Sequence, residues 1–306
     1  MRYTLGRAVT FRGIGLHGGQ PATVRVAPAA AGQGILFHRT DAPAGTGRIE
    51  ARFDMVADTR LCTRLANRRG VSVGTVEHLM AALAGSGIDD ATVAIDGPEV
   101  PIMDGSARAF VEGFAEAGVV AQPGERRAIR LLRTVGVEKD GKRAALEPYD
   151  GFALGFAIDF ADPAIGRQDV TLDLSGNAFA EELADCRTFG HLAEVEQLRR
   201  IGLALGGSLE NAIVVDRGRV LNVDGLRRAD EFVRHKALDA IGDLALAGAP
   251  LLACFVGDKA GHEMTNLLLH ALFAQPDAWE WAPAPAAAMR LSATRPLAAE
   301  ERRLAV

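Results

Sequence analysis

Apolar and polar residues alternate through the first 55 positions. TVRVAP at 23–28 is the clearest run, and Gly18-Gly19 interrupts the chain just before it, so the pattern predicts strands joined by turns. The period then changes. In TVEHLMAALAGSGIDDATVAIDG (75–97), apolar residues at 76, 79, 80, 83 and 84 share one helical face. Gly85 and Gly87 predict the end of that helix, and ATVAI (91–95) predicts a buried strand. Next comes a tight Asp104-Gly105 turn, an N-cap at Ser106 and a helix closing at Gly118. QPGERR (122–127) reads as a short polar linker, and strand patterns resume at 128–139 and 151–160. Residues 186–221 combine a short helix, a Gly206-Gly207 turn and a hairpin-like AIVVDRGRVL. A helix over 229–248, a buried strand over 251–257 and a last helix over about 265–274 follow. Beyond Pro276 the chain is rich in Ala and Pro, which predicts a segment lying loosely on the surface.

The two halves echo one another. EHLMAALAGSGIDDATVAI and RHKALDAIGDLALAGAPLLACFV each place a histidine early in an Ala-rich helix that feeds a buried strand. This favours a duplicated α+β protein with a site between the halves. Composition narrows the function classes. With 48% apolar and 24% charged residues the chain is globular rather than disordered. A net charge of −5 leaves no footprint for a nucleic-acid backbone. The longest uncharged apolar run, 244–257, has 14 residues and contains Pro250, too short for a bilayer, which needs about 20. The N-terminus lacks the apolar stretch of a signal peptide, and Cys62, Cys186 and Cys254 lie far apart, as reduced cytosolic thiols do. The expected location is cytoplasmic.

Candidate chemistry sits at a few positions. GIGLHG (13–18) matches a dinucleotide fingerprint by letter, but alternating TVRV follows it, so no helix N-terminus is available to hold a pyrophosphate. A glycine hairpin leaving His17 exposed is expected instead. His235, Asp239 and Asp243 stand four apart on one helical face, with Phe232, Leu238, Ile241 and Ala245 opposite. That set suits a cation such as Zn²⁺, and alone it equally suits a solvated face. Glu77-His78 is adjacent on a helix, so one can bind a metal while the other acts as a base; a surface pair is the plain alternative. Gly261-His262 precedes the last helix and alone reads as a loop histidine. Two histidines, an aspartate and an open position form a catalytic zinc arrangement, with Glu77 as general base and His262 as general acid. A Cys186–His191 nucleophile pair would need the backbone to fold back, and Cys62 reads as core.

TVEHLMAALAGSGIDD, PIMDGSARAF, CRTFG, LGGSLENAIVVD, DEFVRHKALDAIGDL and GHEMTN closely resemble the UDP-3-O-acyl-N-acetylglucosamine deacetylase family, over roughly residues 3 to 275 and in the same order. The resemblance implies an α+β fold of two similar β-α-α-β domains packed through their helix layers, each with a small insert. The matching boundaries are 1–125, 126–278 with a hydrophobic-channel insert over about 188–221, and a tail over 279–306. It implies one Zn²⁺ held by His78, His235 and Asp239. Glu77 matches the general base, His262 the catalytic histidine, Asp243 its carboxylate partner and Thr188 the hydroxyl that assists the oxyanion. Lys236 and Lys259 match diphosphate-facing positions, and Asp159 and Phe160 the uracil and ribose segment. Phe189, Val195, Gly207, Ala212 and Val214 match the acyl passage, near which His191 departs from the aromatic residue of some relatives.

The implied activity is hydrolysis of the acetamide of UDP-3-O-(3-hydroxyacyl)-N-acetylglucosamine. It releases acetate in the committed step of lipid A biosynthesis in Gram-negative bacteria, with a cytoplasmic monomer as the expected state. Two rivals remain at this stage: a zinc hydrolase acting on another acylated amine, and a module that binds a nucleotide-linked lipid precursor without turnover. Glu77 and His262 speak against the second, since binding alone requires neither.

Overall fold

The computed structural model describes residues 1–285; positions 286–306, most of the expected tail, fall outside them. It is a mixed α/β structure with two large sheets and six α-helices among the described residues: α1 (Glu77–Gly85), α2 (Arg108–Ala117), α3 (Ala178–Glu182), α4 (Leu192–Arg200), α5 (Glu231–Leu244) and α6 (His262–Phe273).

The first large sheet runs in the order Val9–Ile14, Pro21–Pro28, Ala91–Ile95, Ile35–Arg39, Arg48–Glu50. Alternation explains its faces: in Pro21–Pro28, Ala22, Val24 and Val26 are buried while Arg25 is exposed. The second centres on Leu251–Asp258, which pairs with Lys142–Pro148, Arg127–Leu131 and Phe152–Asp159. That strand is apolar up to its terminal Asp258, and Leu251, Leu252, Ala253, Phe255 and Gly257 are buried. A small three-stranded sheet, Phe189–His191, Ile213–Asp216 and Arg219–Val220, carries the middle segment.

Helices α1 and α5 pack directly against each other. A Cβ on Gly242 would lie 2.0 Å from the Glu77 carbonyl oxygen, so only glycine lets the backbones come this close. This contact brings the start of α1 onto the C-terminal half of α5. One contiguous apolar core runs from Val24 and Phe37, through Leu79 and Leu238, to Phe255.

Several expectations need correction. Trp279–Pro283 is not loose: it is an antiparallel edge strand on Arg127–Leu131. Its terminal Pro283 is tolerated because an edge strand has one unpaired side. Helix α6 begins at His262, three residues before the expected start, because Gly261 supplies an extended N-cap without a side-chain signal. Helix α2 starts at Arg108, whose N–H is accepted by the Ser106 hydroxyl at 3.2 Å. His17 is buried rather than exposed, at 7%. The Glu99 carboxylate accepts the N–H groups of His17 (2.8 Å) and Gly18 (2.9 Å) and draws the loop inward. The carbonyls of Leu16 and His17 in turn accept N–H groups of Gly206 and Leu205.

Candidate metal and catalytic centre

Helix α1 opens on Glu77-His78, and both side chains are buried because the helix starts against α5. On α5, His235, Asp239 and Asp243 are also buried, so the face that could have been solvated is interior. His78 Nε2 and His235 Nε2 each stand 3.4 Å from the same Asp239 oxygen, Oδ1. One ligand atom from each of the three residues falls within 4.8 Å of the others. Oδ1 is buried and accepts no hydrogen bond. A buried carboxylate oxygen without a donor is costly, and two imidazole nitrogens converging beside it form a donor set that fits a divalent cation of borderline softness.

The electrostatics favour ligation. Burial lowers the His235 pKa to about 4, against the pull of Asp239, so the ring is neutral at pH 7. Its Nδ1–H donates to the Cys186 carbonyl at 3.1 Å, which leaves the Nε2 lone pair toward Asp239. Burial works to raise Asp239, but His235 and Lys236 outweigh it and hold the carboxyl well below the usual range. Lys236 Nζ donates to Asp239 Oδ2 at 2.7 Å.

A second group of side chains adjoins these. Burial raises the Glu77 carboxyl above its ordinary range, partly countered by His262 and His78. Its Oε2 accepts the Thr63 N–H at 3.1 Å, and Oε1 lies 3.9 Å from His262 Nε2. His262, at the N-terminus of α6, places Nδ1 2.9 Å from Asp243 Oδ2. Burial and the helix terminus both disfavour a charged imidazole there. The charge and hydrogen bond of Asp243, with the charge of Glu77, overcome burial and raise the pKa to about 9. Thr265 and Thr63 also donate to Asp243, one to each oxygen.

Phe189 stands with its ring centroid 6.2 Å from His235, 4.9 Å from Phe232 and 5.6 Å from Phe160. The fold thus brings Phe160, Phe189 and Lys236 to the cluster. Thr188 is half-buried, its N–H donating to the Gly105 carbonyl and its carbonyl accepting from Ile213. Val195 lies on α4, Val214 on the strand beside Phe189–His191, and Gly207 and Ala212 in the same insert. Lys259 and Asp159 are exposed at strand ends. His191 Nδ1 lies 3.9 Å from Asp162. Cys62 is buried, and burial beside Glu77 pushes its thiol up to about 12, far from a reactive thiolate. Burial raises Cys186 likewise, which removes it as a nucleophile for His191.

Sequence reading missed two residues that contact the cluster, Thr63 and Thr265. Thr265 follows His262 by three residues on α6, a helical spacing that could have marked it. Thr63 reaches Asp243 across 180 residues and leaves no local signal.

Over residues 2–274 the chain matches the family model described as UDP-3-O-acyl N-acetylglycosamine deacetylase, LpxC. Three similar proteins are each named UDP-3-O-acyl-N-acetylglucosamine deacetylase. That of Phenylobacterium zucineum is 52% identical over 278 residues, 91% of this chain and 95% of the relative. That of Acidithiobacillus ferrooxidans is 51% identical over 280 residues, 91% of each. That of a Shewanella species is 47% identical over 279 residues, 90% of this chain and 91% of the relative.

Proposed function

The chain belongs to the UDP-3-O-acyl-N-acetylglucosamine deacetylase family, and from that premise we propose that it hydrolyses the acetamide of a UDP-3-O-acyl-N-acetylglucosamine at the His78–His235–Asp239 cluster. The reaction releases acetate and a free amine, and it is the committed step of lipid A biosynthesis. The observation that carries the reading is the buried, donorless Asp239 Oδ1 between two imidazoles, with Glu77 and His262 beside it.

His78, His235 and Asp239 would hold one Zn²⁺. Bound there, the ion supplies Lewis acidity toward the acetamide carbonyl and toward water. Glu77 takes the proton of the attacking water; its raised pKa brings the carboxylate nearer the basicity a neutral-pH base needs. The Thr188 hydroxyl donates to the oxygen where negative charge develops. The amine leaves only when protonated, and His262, charged at pH 7, supplies that proton. Asp243 holds its ring and its charge.

Lys236 and Lys259 meet the diphosphate, and Asp159 and Phe160 the nucleoside. The passage past Phe189, Val195, Gly207, Ala212 and Val214 takes the acyl chain. Exposed Ile201, Leu205 and Leu209 in the same insert support an apolar route. The division into 1–125 and 126–278 domains belongs to this reading, supported by the α1–α5 contact between residues of the two halves. So does action as a cytoplasmic monomer; no helix among the described residues is long and apolar enough to cross a membrane.

The test is Glu77→Ala. It should retain zinc and bind substrate while turnover falls about 10²–10⁴-fold, the usual worth of general-base assistance. Turnover like the wild type at neutral pH removes Glu77 from the mechanism.

A further inference from the structure

Residues 186–188 connect two groups of the proposed reaction. At one end the Cys186 carbonyl fixes the His235 ring; at the other lies Thr188. Between them Arg187 is buried against Glu231, which is fully buried. Arg187 donates three times to that carboxylate: backbone N–H at 3.0 Å, Nε at 2.9 Å and Nη2 at 3.1 Å. A fourth donor, the Arg227 N–H, sits 2.6 Å from Oε2, and Arg187 Nη2 also reaches the Gly225 carbonyl at 2.8 Å. Glu231 is the first residue of α5, one turn before His235. The carboxylate that grips the backbone of residue 187 therefore projects from the same helix as the candidate metal ligand.

A buried ion pair is weak support for stability, since well-packed apolar residues often replace one without loss. A guanidinium fork on a carboxylate supplies orientation instead: two parallel N–H donors fix both distance and angle. Here a backbone donor joins them, so the main chain as well as the side chain is held.

We propose that Arg187 and Glu231 are positioning residues for the deacetylation. They set the 186–188 backbone so that Cys186 keeps the His235 ring in the ligating tautomer and Thr188 is held at the developing oxyanion. The inference rests on the metal and Thr188 assignments made above. Neither residue touches the reacting atoms; both act through the segment between them.

The experiment compares zinc-loaded wild type with the double variant Arg187→Met/Glu231→Leu, which removes both charges and leaves no unpaired ion. A pair that serves stability alone leaves kcat and zinc retention unchanged in a folded double variant. Positioning predicts lower kcat with KM little changed. It also predicts faster zinc transfer to a chelator, each effect about 10–100-fold, the usual worth of groups that orient a metal ligand. Unchanged kcat and unchanged zinc transfer at wild-type melting temperature overturn the proposal. If the double variant does not fold, Arg187→Lys keeps the charge and loses the fork, and the same two readouts decide. Thr188→Ala separates the premise from the inference. If it leaves kcat unaltered, the Thr188 assignment is wrong, and the chelator kinetics still decide whether the pair orients His235.

Discussion

Replacing Asp243 by Asn removes one charge with almost no change of shape. His262 stands at about 9 against an ordinary 6.5, which favours its charged form by roughly 3 kcal/mol. Burial opposes that shift and Asp243 is the first group that raises it, so without the carboxylate the value should fall to 6.5 or below. At pH 7 a group at about 9 is about 99% protonated, and one at about 6.5 about a quarter. If His262 delivers the leaving-group proton, kcat/KM at pH 7 should drop at least about fourfold from protonation alone. The wild-type advantage should widen between about pH 6 and pH 9 and shrink below. A bound cation lowers both alkaline limbs together, so the separation between the two profiles carries the result. Thr63 and Thr265 can each turn a hydroxyl to suit an amide, which keeps the fold intact. The assay is acetate release across pH, with zinc content measured at every point. Stability of the metal-free protein should agree: the raised His262 value contributes fully below about pH 6.5 and is lost as pH rises through about 9. An alkaline limb that does not move, or an activity loss of equal size at every pH, refutes the assigned role of the pair.

Other outcomes follow from single contacts. His235→Ala should lose most bound zinc, and near-stoichiometric zinc by elemental analysis in that variant contradicts the ligand set. UDP-N-acetylglucosamine without its acyl chain should be deacetylated far less efficiently, since each buried CH₂ contributes up to about 0.8 kcal/mol; equal kcat/KM values would make the insert ordinary core. Enlarging Gly207 should selectively penalise long acyl chains and leave zinc content alone. Gly242→Ala should force α1 from α5, costing about 1–3 kcal/mol by chemical denaturation, and wild-type stability would mean the helix contact is looser than a 2.0 Å approach implies.

Local periodicity revealed the strand Ala91–Ile95 and helices α1 and α5, because each buries a face written in consecutive residues. The His235–Asp239–Asp243 face was legible for the same reason. Its burial was not, since that depends on Gly242 admitting the Glu77 backbone from 165 positions away. His17 shows the limit again: the carboxylate that buries its loop lies 82 residues downstream, and local pattern alone gave an exposed hairpin. Trp279–Pro283 escaped because Ala/Pro composition outweighed a short alternation whose pairing partner, Arg127–Leu131, lies far earlier in the chain. The residue pattern already suggested Glu77 as base and His262 as acid, each beside an ordinary alternative, whereas the role of Thr188 came from family resemblance alone.

Metal-assisted deacetylation of an acylated UDP-amino sugar can be tested on the protein itself. The direct measurement incubates purified, zinc-loaded protein with UDP-3-O-acyl-N-acetylglucosamine and quantifies acetate and free amine, before and after zinc is stripped and restored. Equimolar acetate and amine are expected, with loss on stripping and recovery with one zinc per chain. Absence of acetate from fully loaded protein, or undiminished release after the metal is removed, contradicts metal-assisted deacetylation.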